Sequence, residues 1–368
     1  ASGGTASNGK SVVAVSSCDS LQVIVEEALL FLEKHELIVK MPYLEKRSDT
    51  ICGESSAAAG DVSGGGGHGS ASATGIRIGG TRLHPTLLGR ATYLSSLPIR
   101  VGLEIYEHMS QGRAQGVVLV DQLHLLFMMT PVDQFAMRFL ADNSLWGVLA
   151  RRWDKYDDDR KRVLERIGIN YVYVQQRAIN KIMPKNERYY QQDRKGKRLW
   201  LALIMQELVE ERPFQQIISN FQASSSEAKD SQRLHEKELE DLQSSGAMFS
   251  GKVAQFALNV GYEDIGVLFQ HLISRIAFGA KADILPLCEI PFVQVVRARK
   301  LHRQGYKTVE DIAGAKASEL SRILDLKPER TATKISEMII QHARTICQRR
   351  AADQRLVLDQ SVFGAGSF

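Results

Sequence analysis

Cysteine is scarce. The 368 residues hold four, at positions 18, 52, 288 and 347. No two form a Cys-x-x-Cys pair, which excludes a zinc ribbon or a thioredoxin-type motif. Scattered cysteines fit a reducing compartment, and each reads as a small buried hydrophobe. No run of ~18 consecutive apolar residues exists, so no transmembrane helix is expected. The opening ASGGTASNGK lacks the basic and apolar regions of a signal peptide, and a start at Ala1 reads as a fragment. No Gly-x-x-x-x-Gly-Lys-Ser/Thr phosphate loop occurs. Strand-helix alternation is too short for a parallel nucleotide-binding sheet. His-Glu-x-x-His and Gly-x-Ser-x-Gly are absent too, leaving metalloprotease and serine-hydrolase chemistry unsupported. No catalytic residue and no metal ligand is assigned. The run Asp157-Asp158-Asp159 reads as a solvated helix start.

What is present is globular. Hydrophobic residues make up 44% and charged residues 24%, which excludes a disordered or fibrous chain. The length predicts two or three domains. Net charge is +5, unevenly placed. Residues 292–350 carry 13 Lys and Arg against 6 Asp and Glu, whereas the remainder is net negative. Residues 177–200 form a second basic stretch, with 8 basic and 2 acidic residues. Local surfaces of this kind fit a polyanionic partner.

Residues 1–19 read as a disordered lead. A helix follows, with Leu21, Ile24, Val25, Ala28, Leu29 and Leu32 at helical spacing and an end at His35-Glu36. Leu37 to Lys40 reads as a short strand. Residues 53–75 are low-complexity Gly, Ser and Ala, read as a flexible insertion. A strand-like pattern resumes from Thr81 to Ser95. From Pro98 to about Gly279 nearly every segment is helical. The spacing of Ile99, Leu103, Tyr106 and Met109 predicts one buried face, and 120–129 (VDQLHLLFMM) reads as buried. Helices are predicted over 142–156, from Asp157 to Gly168, and over 171–183, 187–210 and 214–221. Residues 223–231 read as a smaller insertion.

The helix predicted over 232–260 is the most informative. Leu239, Leu242, Gly246, Phe249, Val253, Phe256 and Val260 step by three and four, a single packing stripe. About 100° round the helix lie Met248, Lys252, Gln255 and Asn259. One soft apolar group among polar and basic ones suits contact along a nucleic-acid strand. Downstream, Phe292–Gln304 is predicted as a helix closed by Gly305, Thr308–Ala313 as a capped short helix, and Ala317–Leu324 as a third. A last helix starts at Pro328 and runs to about Cys347, before a tail over 351–368. Arg297, Lys300 and Arg303 share one face by three-residue spacing, and Arg299 stands beside them. Unanswered cations on one face call for an anion, and phosphates answer with counterion release.

These segments resemble a known family. The run VVRARKLHRQGYKTVEDIAGAKASELSRIL (295–324) resembles the C-terminal helix-loop-helix of HELQ and polymerase theta helicases and their archaeal relatives, which are superfamily 2 DNA helicases. LLGRATYLSSL (87–97) resembles the end of that family's winged helix. VLVDQLHLLFMMTP (118–131) and LQSSGAMFSGKVAQF (242–256) resemble two ratchet-domain segments. The resemblance covers about residues 20–350, in the family's order.

The resemblance implies a mainly α chain. A winged helix would occupy 20–97, a seven-helix ratchet-type bundle 98–290, and a small helix-hairpin-helix-like domain 291–350. It implies the C-terminal portion of an ATP-dependent 3′–5′ DNA helicase acting in repair. The RecA-like lobes that bind ATP and Mg²⁺ have no counterpart in these residues, so the chain itself takes no cofactor. Partners implied are single-stranded or forked DNA and DNA repair proteins, with no membrane and a nuclear location. The DNA-binding set is Arg297, Arg299, Lys300, Arg303, Lys252, Met248 and Gln255, with Met248 at the family's base-stacking position. The hairpin at Leu324–Pro328 lacks glycines, so it reads as structural. A protein-interaction scaffold and an RNA helicase fragment are the alternatives.

Overall fold

The computed structural model describes residues 17–42, 76–78, 81–117, 119, 122–131, 144–179, 186–221, 234–325 and 327–364. The two insertions, most of the lead and the end of the tail lie outside them. The chain is mainly α, as expected. It divides into two compact units, 1–103 with 259–261 and 104–258 with 262–368.

The first unit opens with α1 (Ser17–Lys34), so helix begins within the residues read as lead. Glu36 breaks it with φ 55°, and Leu37 enters the core. A three-stranded antiparallel sheet follows, β1 (Ile38–Pro42), β2 (Ile76–Ile78) and β3 (Thr81–Pro85), in the order β1-β3-β2. Ile38 pairs with Pro85, and Ile76 with Leu83. The strand read over 81–95 stops at Pro85, and 87–94 is helix α2 (Leu87–Leu94). The reason is local. Thr86 accepts from the Gly89 amide at 3.0 Å, an N-cap, and donates to the Glu36 carbonyl at 2.6 Å. Ala91, Thr92 and Ser95 then form a buried helical face.

Helix α3 (Ile99–Gln115) begins one residue after Pro98. Its buried face is Val101, Ile105 and Met109, of which only Met109 was predicted: Ile99 is exposed, and Tyr106 is half-buried against Tyr262, 5.9 Å between rings. Next come α4 (Leu123–Met128), α5 (Ser144–Trp153), α6 (Asp158–Ile167), α7 (Tyr171–Ala178), α8 (Glu187–Val209) and α9 (Phe214–Phe221). Residues 123–129 are all buried, as predicted. Asp157 caps α6, its carboxylate accepting from the Arg160 amide at 3.0 Å, and Gly168 closes that helix with φ 77°. The centre of the unit is α8. Residues 198–206 are buried on every side, the pattern of a helix enclosed by others. Gly196 lets the Trp146 ring lie against the α8 backbone, since an added Cβ would stand 2.3 Å from Cη2.

Helix α10 (Glu236–Val260) buries Leu239, Leu242, Phe249, Val253 and Phe256, the expected stripe. Helix α11 (Glu263–Phe278), a 3₁₀ turn (Ala282–Ile284) and α12 (Leu285–Cys288) lead to the C-terminal helices. Those are α13 (Val295–Arg303), α14 (Val309–Ala313), α15 (Ala317–Ile323) and α16 (Glu329–Gly364). Helix α13 starts three residues later than predicted, because Phe292 has φ 70°, which no right-handed helix accommodates. Thr308 and Asp311 form the expected capping box. Ala298, Leu301, Val309, Ile312, Leu320 and Ile339 share one apolar core. Helix α16 runs past Cys347 through most of the predicted tail, where Ala, Gln, Arg and Leu favour helix. Burial pushes the Cys288 thiol up to about 12, as suits an inert core cysteine.

Candidate nucleic-acid interface

Seven sequence-predicted residues fall in two patches. On α10, Met248 is 65% exposed, and Lys252 and Gln255 are exposed on the same side. Buried Phe249 belongs to the packing stripe, so the outward soft group here is Met248. The remaining four lie on α13.

Within α13, Ala298 and Leu301 turn inward and leave the rest of the helix to solvent and neighbours. Lys300 and Arg303 are exposed, and among the described residues neither has a carboxylate partner. Half-buried Arg297 donates from Nη1 to the Phe292 carbonyl at 2.7 Å, a neutral acceptor that leaves its charge unanswered. Glu289 and Glu310, the carboxylates nearest in sequence, pair with Arg350 at 2.6 and 3.7 Å.

Arg299 differs. Its guanidinium reaches Glu211 from Nε and Nη2 at 2.7 and 2.6 Å, and Asp283 from Nη1 and Nη2 at 2.6 and 2.9 Å. Both contacts are two-point, the arrangement that the guanidinium fork favours. Glu211 follows the end of α8, and Asp283 lies in the 3₁₀ turn, so one side chain ties α13 to two other elements. Burial alone would raise the Glu211 carboxyl. Hydrogen bonds from Arg299 and the Lys281 amide outweigh it and hold the group below its ordinary value. The Arg299 hydrogen bond likewise lowers Asp283. Arg299 is therefore an internal strut, apart from the open face of Arg297, Lys300 and Arg303.

Four of the eight cations of the second basic stretch are also taken up by the fold. Asp193 is buried between Arg177 at 2.9 Å and Lys197 at 2.8 Å. Glu104 takes Arg194 at 3.1 Å and Arg198 at 3.2 Å. The polyanion reading of 177–200 is corrected for these four cations, whose answering carboxylates include one about ninety residues upstream. Lys181 and Lys185 lie outside the described residues.

Sequence reading missed Phe292. It is 52% exposed, and its ring lies 5.7 Å from that of His342, beside Arg297. An aromatic at a positive φ has no signal in hydrophobic periodicity. Among the described residues no group of three or more His, Cys, Asp or Glu can hold a metal ion. No helix among the described residues is long and apolar enough to cross a membrane.

Comparison with known proteins adds to this geometry. Residues 100–276 match the family described as the DNA pol Q helicase-like region helical domain, and residues 282–352 match a domain of unknown function. DNA polymerase theta of Mus musculus is 27% identical over 272 residues, 73% of this chain and 10% of that protein. Helicase POLQ-like of Homo sapiens is 24% identical over 291 residues, 77% of this chain and 24% of that protein. ATP-dependent DNA helicase Hel308 of Aeropyrum pernix is 32% identical over 107 residues, 29% of this chain and 14% of that protein. The chain thus spans from about a tenth to about a quarter of the length of these relatives. The matched span, residues 100–276, takes in most of helices α3 to α11, built round buried α8. Over these helices the chain is similar to the helicase-like helical region of polymerase theta and to POLQ-like helicases, and residues 100–276 carry that region's helical domain.

Proposed function

We propose that this chain holds and passes single-stranded DNA, as the C-terminal portion of an ATP-dependent 3′–5′ DNA helicase acting in nuclear DNA repair. In this reading ATP and Mg²⁺ are bound by RecA-like lobes outside these residues. The first unit serves as the winged helix, 98–290 as the ratchet, and 291–350 as the helix-hairpin-helix-type domain. One observation carries the proposal: Arg297, Lys300 and Arg303 line one side of α13 without a carboxylate partner among the described residues. Three clustered cations left unanswered by the fold suit a phosphate backbone. The exposed Met248–Lys252–Gln255 stripe on α10 supplies a second contact, polar and sequence-tolerant. Arg299 keeps α13 in place and touches no phosphate.

The test is fluorescence-anisotropy binding of the full chain to single-stranded DNA, duplex DNA and RNA across a salt series. Single-stranded DNA should bind tightest, with steep salt dependence. Replacing Arg297, Lys300 and Arg303 together by Ala should flatten the log–log salt slope by about two, at ~0.7 per phosphate contact on a single strand. A folded triple variant with an unaltered slope refutes the assignment. Stronger binding of RNA favours the RNA helicase reading instead.

A specific observation favours a protein contact for the first unit. Tyr93 is 83% exposed, Leu87 62%, and Ile24 and Leu30 61% each. Apolar side chains in this number suit a protein surface, which repair proteins or the helicase's own lobes could supply. Alanine at Tyr93 and Leu87 should leave DNA affinity unchanged and weaken any such protein complex, measured by co-sedimentation.

A further inference from the structure

The open face of α13 borders a longer surface feature. Arg303 lines a depression of about 440 Å³, floored by the Arg299–Glu211–Asp283 strut and flanked by Lys281. Glu210 stands on the rim of this depression and of a second one, of about 260 Å³, which Arg160 and Arg212 also line. Arg152 and Asn220 are shared in turn between the second depression and a third, of about 410 Å³. The third is walled by Arg151, Lys155 and Tyr156, and no carboxylate lines it. Each depression shares lining residues with the next, so the three follow one another over the surface from Arg303 to Lys155, and together they are treated as one groove.

The charge of this groove is lopsided. Eight Lys and Arg side chains line it, against four carboxylates. Three of those carboxylates are already answered. Glu207 accepts from Arg152 at 2.8 Å and from Asn220 at 3.0 Å, while Arg299 takes Glu211 and Asp283. The fourth, Glu210, has Arg212 at 3.9 Å. Arg151, Lys155, Lys281 and Arg303 are left without a carboxylate partner among the described residues. Their charges are spread over the groove's two ends, as a polymer of phosphates requires and a single small anion does not. Two arginines are also held as flat plates. Arg152 lies over the Phe221 ring at 3.9 Å and Arg160 over the Tyr156 ring at 4.8 Å. A guanidinium fixed in that way can present a face to an unstacked base.

We propose that this groove is a second track for single-stranded nucleic acid, continuing the strand from the α13 face past Glu210 to Arg151 and Lys155. The inference rests on the α13 reading, since Arg303 belongs to both surfaces, and it lengthens the footprint assigned there. Neither Arg151 nor Lys155 belongs to the α10 or α13 patches. Both are exposed, so their replacement leaves the packing of α5 intact.

The experiment measures the affinity of the full chain for oligo(dT) of increasing length. Wild type is compared with Arg151→Ala/Lys155→Ala and with the charge reversal Arg151→Glu/Lys155→Glu. Circular dichroism and Tm confirm the fold of each. Affinity of the wild type should rise with length until the groove is filled. The Ala variant should match it on the shortest oligonucleotides that bind. On the longest it should be weaker, roughly tenfold, with a salt slope shallower by about 1.4, two contacts at ~0.7 each. The Glu variant should lose more than the Ala variant on the long oligonucleotides alone. Identical length dependence in all three proteins overturns the groove proposal and leaves the α13 reading standing. Loss of equal size at every length overturns it too, because the two residues would then act at the first contact. No binding of any single strand by the wild type overturns both.

Discussion

Between Arg177 and Trp200 the chain sets eight basic residues against two acidic ones, and in nine residues α13 carries Arg297, Arg299, Lys300 and Arg303. As sequence, the two stretches invite the same reading. In the fold, Asp193 and Glu104 absorb four cations of the first stretch, one of them Arg198, which is 1% exposed. On α13 only Arg299 is absorbed, and the other three face outward. The difference lies in carboxylates placed by chain topology. Glu104 sits on α3 and Glu211 beyond α8, so neither is a sequence neighbour of the arginine it answers. Density of positive charge therefore locates candidates, and the residues packed opposite decide which are available to a ligand.

Four measurements can break or sharpen that contrast. The largest effect belongs to the absorbed stretch. Asp193→Ala removes the carboxylate that Arg177 and Lys197 share, which should cost about 3–5 kcal/mol by denaturant unfolding, as expected when one partner of a buried pair is removed. A loss below ~1 kcal/mol would mean that these cations are solvated after all.

The second concerns pH. His108 is pushed down to about 3, first by burial and then by the nearby charges of Arg198 and Lys195. Its folded value lies below its ordinary 6.5, so the unfolded chain takes up the proton first. Stability from this site is whole above pH 6.5 and drains away as pH falls toward 3. His108→Gln should flatten stability against pH across that window. A slope equal to the wild type's would mean that His108 is not held below its ordinary value in the fold.

Third, Arg299→Ala should cost about 1–2 kcal/mol, less than the buried pair because Asp283 is 44% exposed. The partner carboxyls lie below their ordinary values, so this contribution is present above the usual carboxylate range. It should vanish as acid takes the pH below that range. Arg299→Lys should recover only part of it, since a single ammonium cannot make both two-point contacts. Full rescue by Lys would argue against the strut.

The smallest stability change is expected on the open face. Triple alanine replacement of Arg297, Lys300 and Arg303 should shift unfolding free energy by no more than about 0.5 kcal/mol, while DNA affinity falls. A large destabilisation would place these cations with the absorbed ones.

Much of the fold was legible. The α10 stripe follows from steps of three and four, and the α14 start from Thr308 and Asp311 at capping-box spacing. Local rules also put Asp157 and Gly168 at the two ends of α6. Where local signals compete, the reading failed. Leu87–Leu94 has apolar residues at both helical and strand spacing, and a cap at Thr86 decides for helix. On α3 the tertiary partner chose Val101, Ile105 and Met109, a face that the sequence offers equally with the one predicted. Of the candidate site, the cations of α13 and the α10 flank could be named from spacing alone. Which arginine is a strut could not, because Glu211 and Asp283 are 88 and 16 residues away. The groove was invisible for the same reason: its walls come from four separate stretches of chain, 148–160, 206–220, 281–283 and 299–303.

The strut also has a mechanical meaning. In the proposed grip, a strand under tension pulls on α13 at three points along one side. Arg299 interrupts that row from within, and it is bolted at four hydrogen bonds to two different elements. A helix pinned at one rigid joint between its points of traction resists twisting about its own axis. Traction on the strand then passes into α8, whose residues 198–206 are enclosed on every side, rather than being spent in rotating a small surface helix.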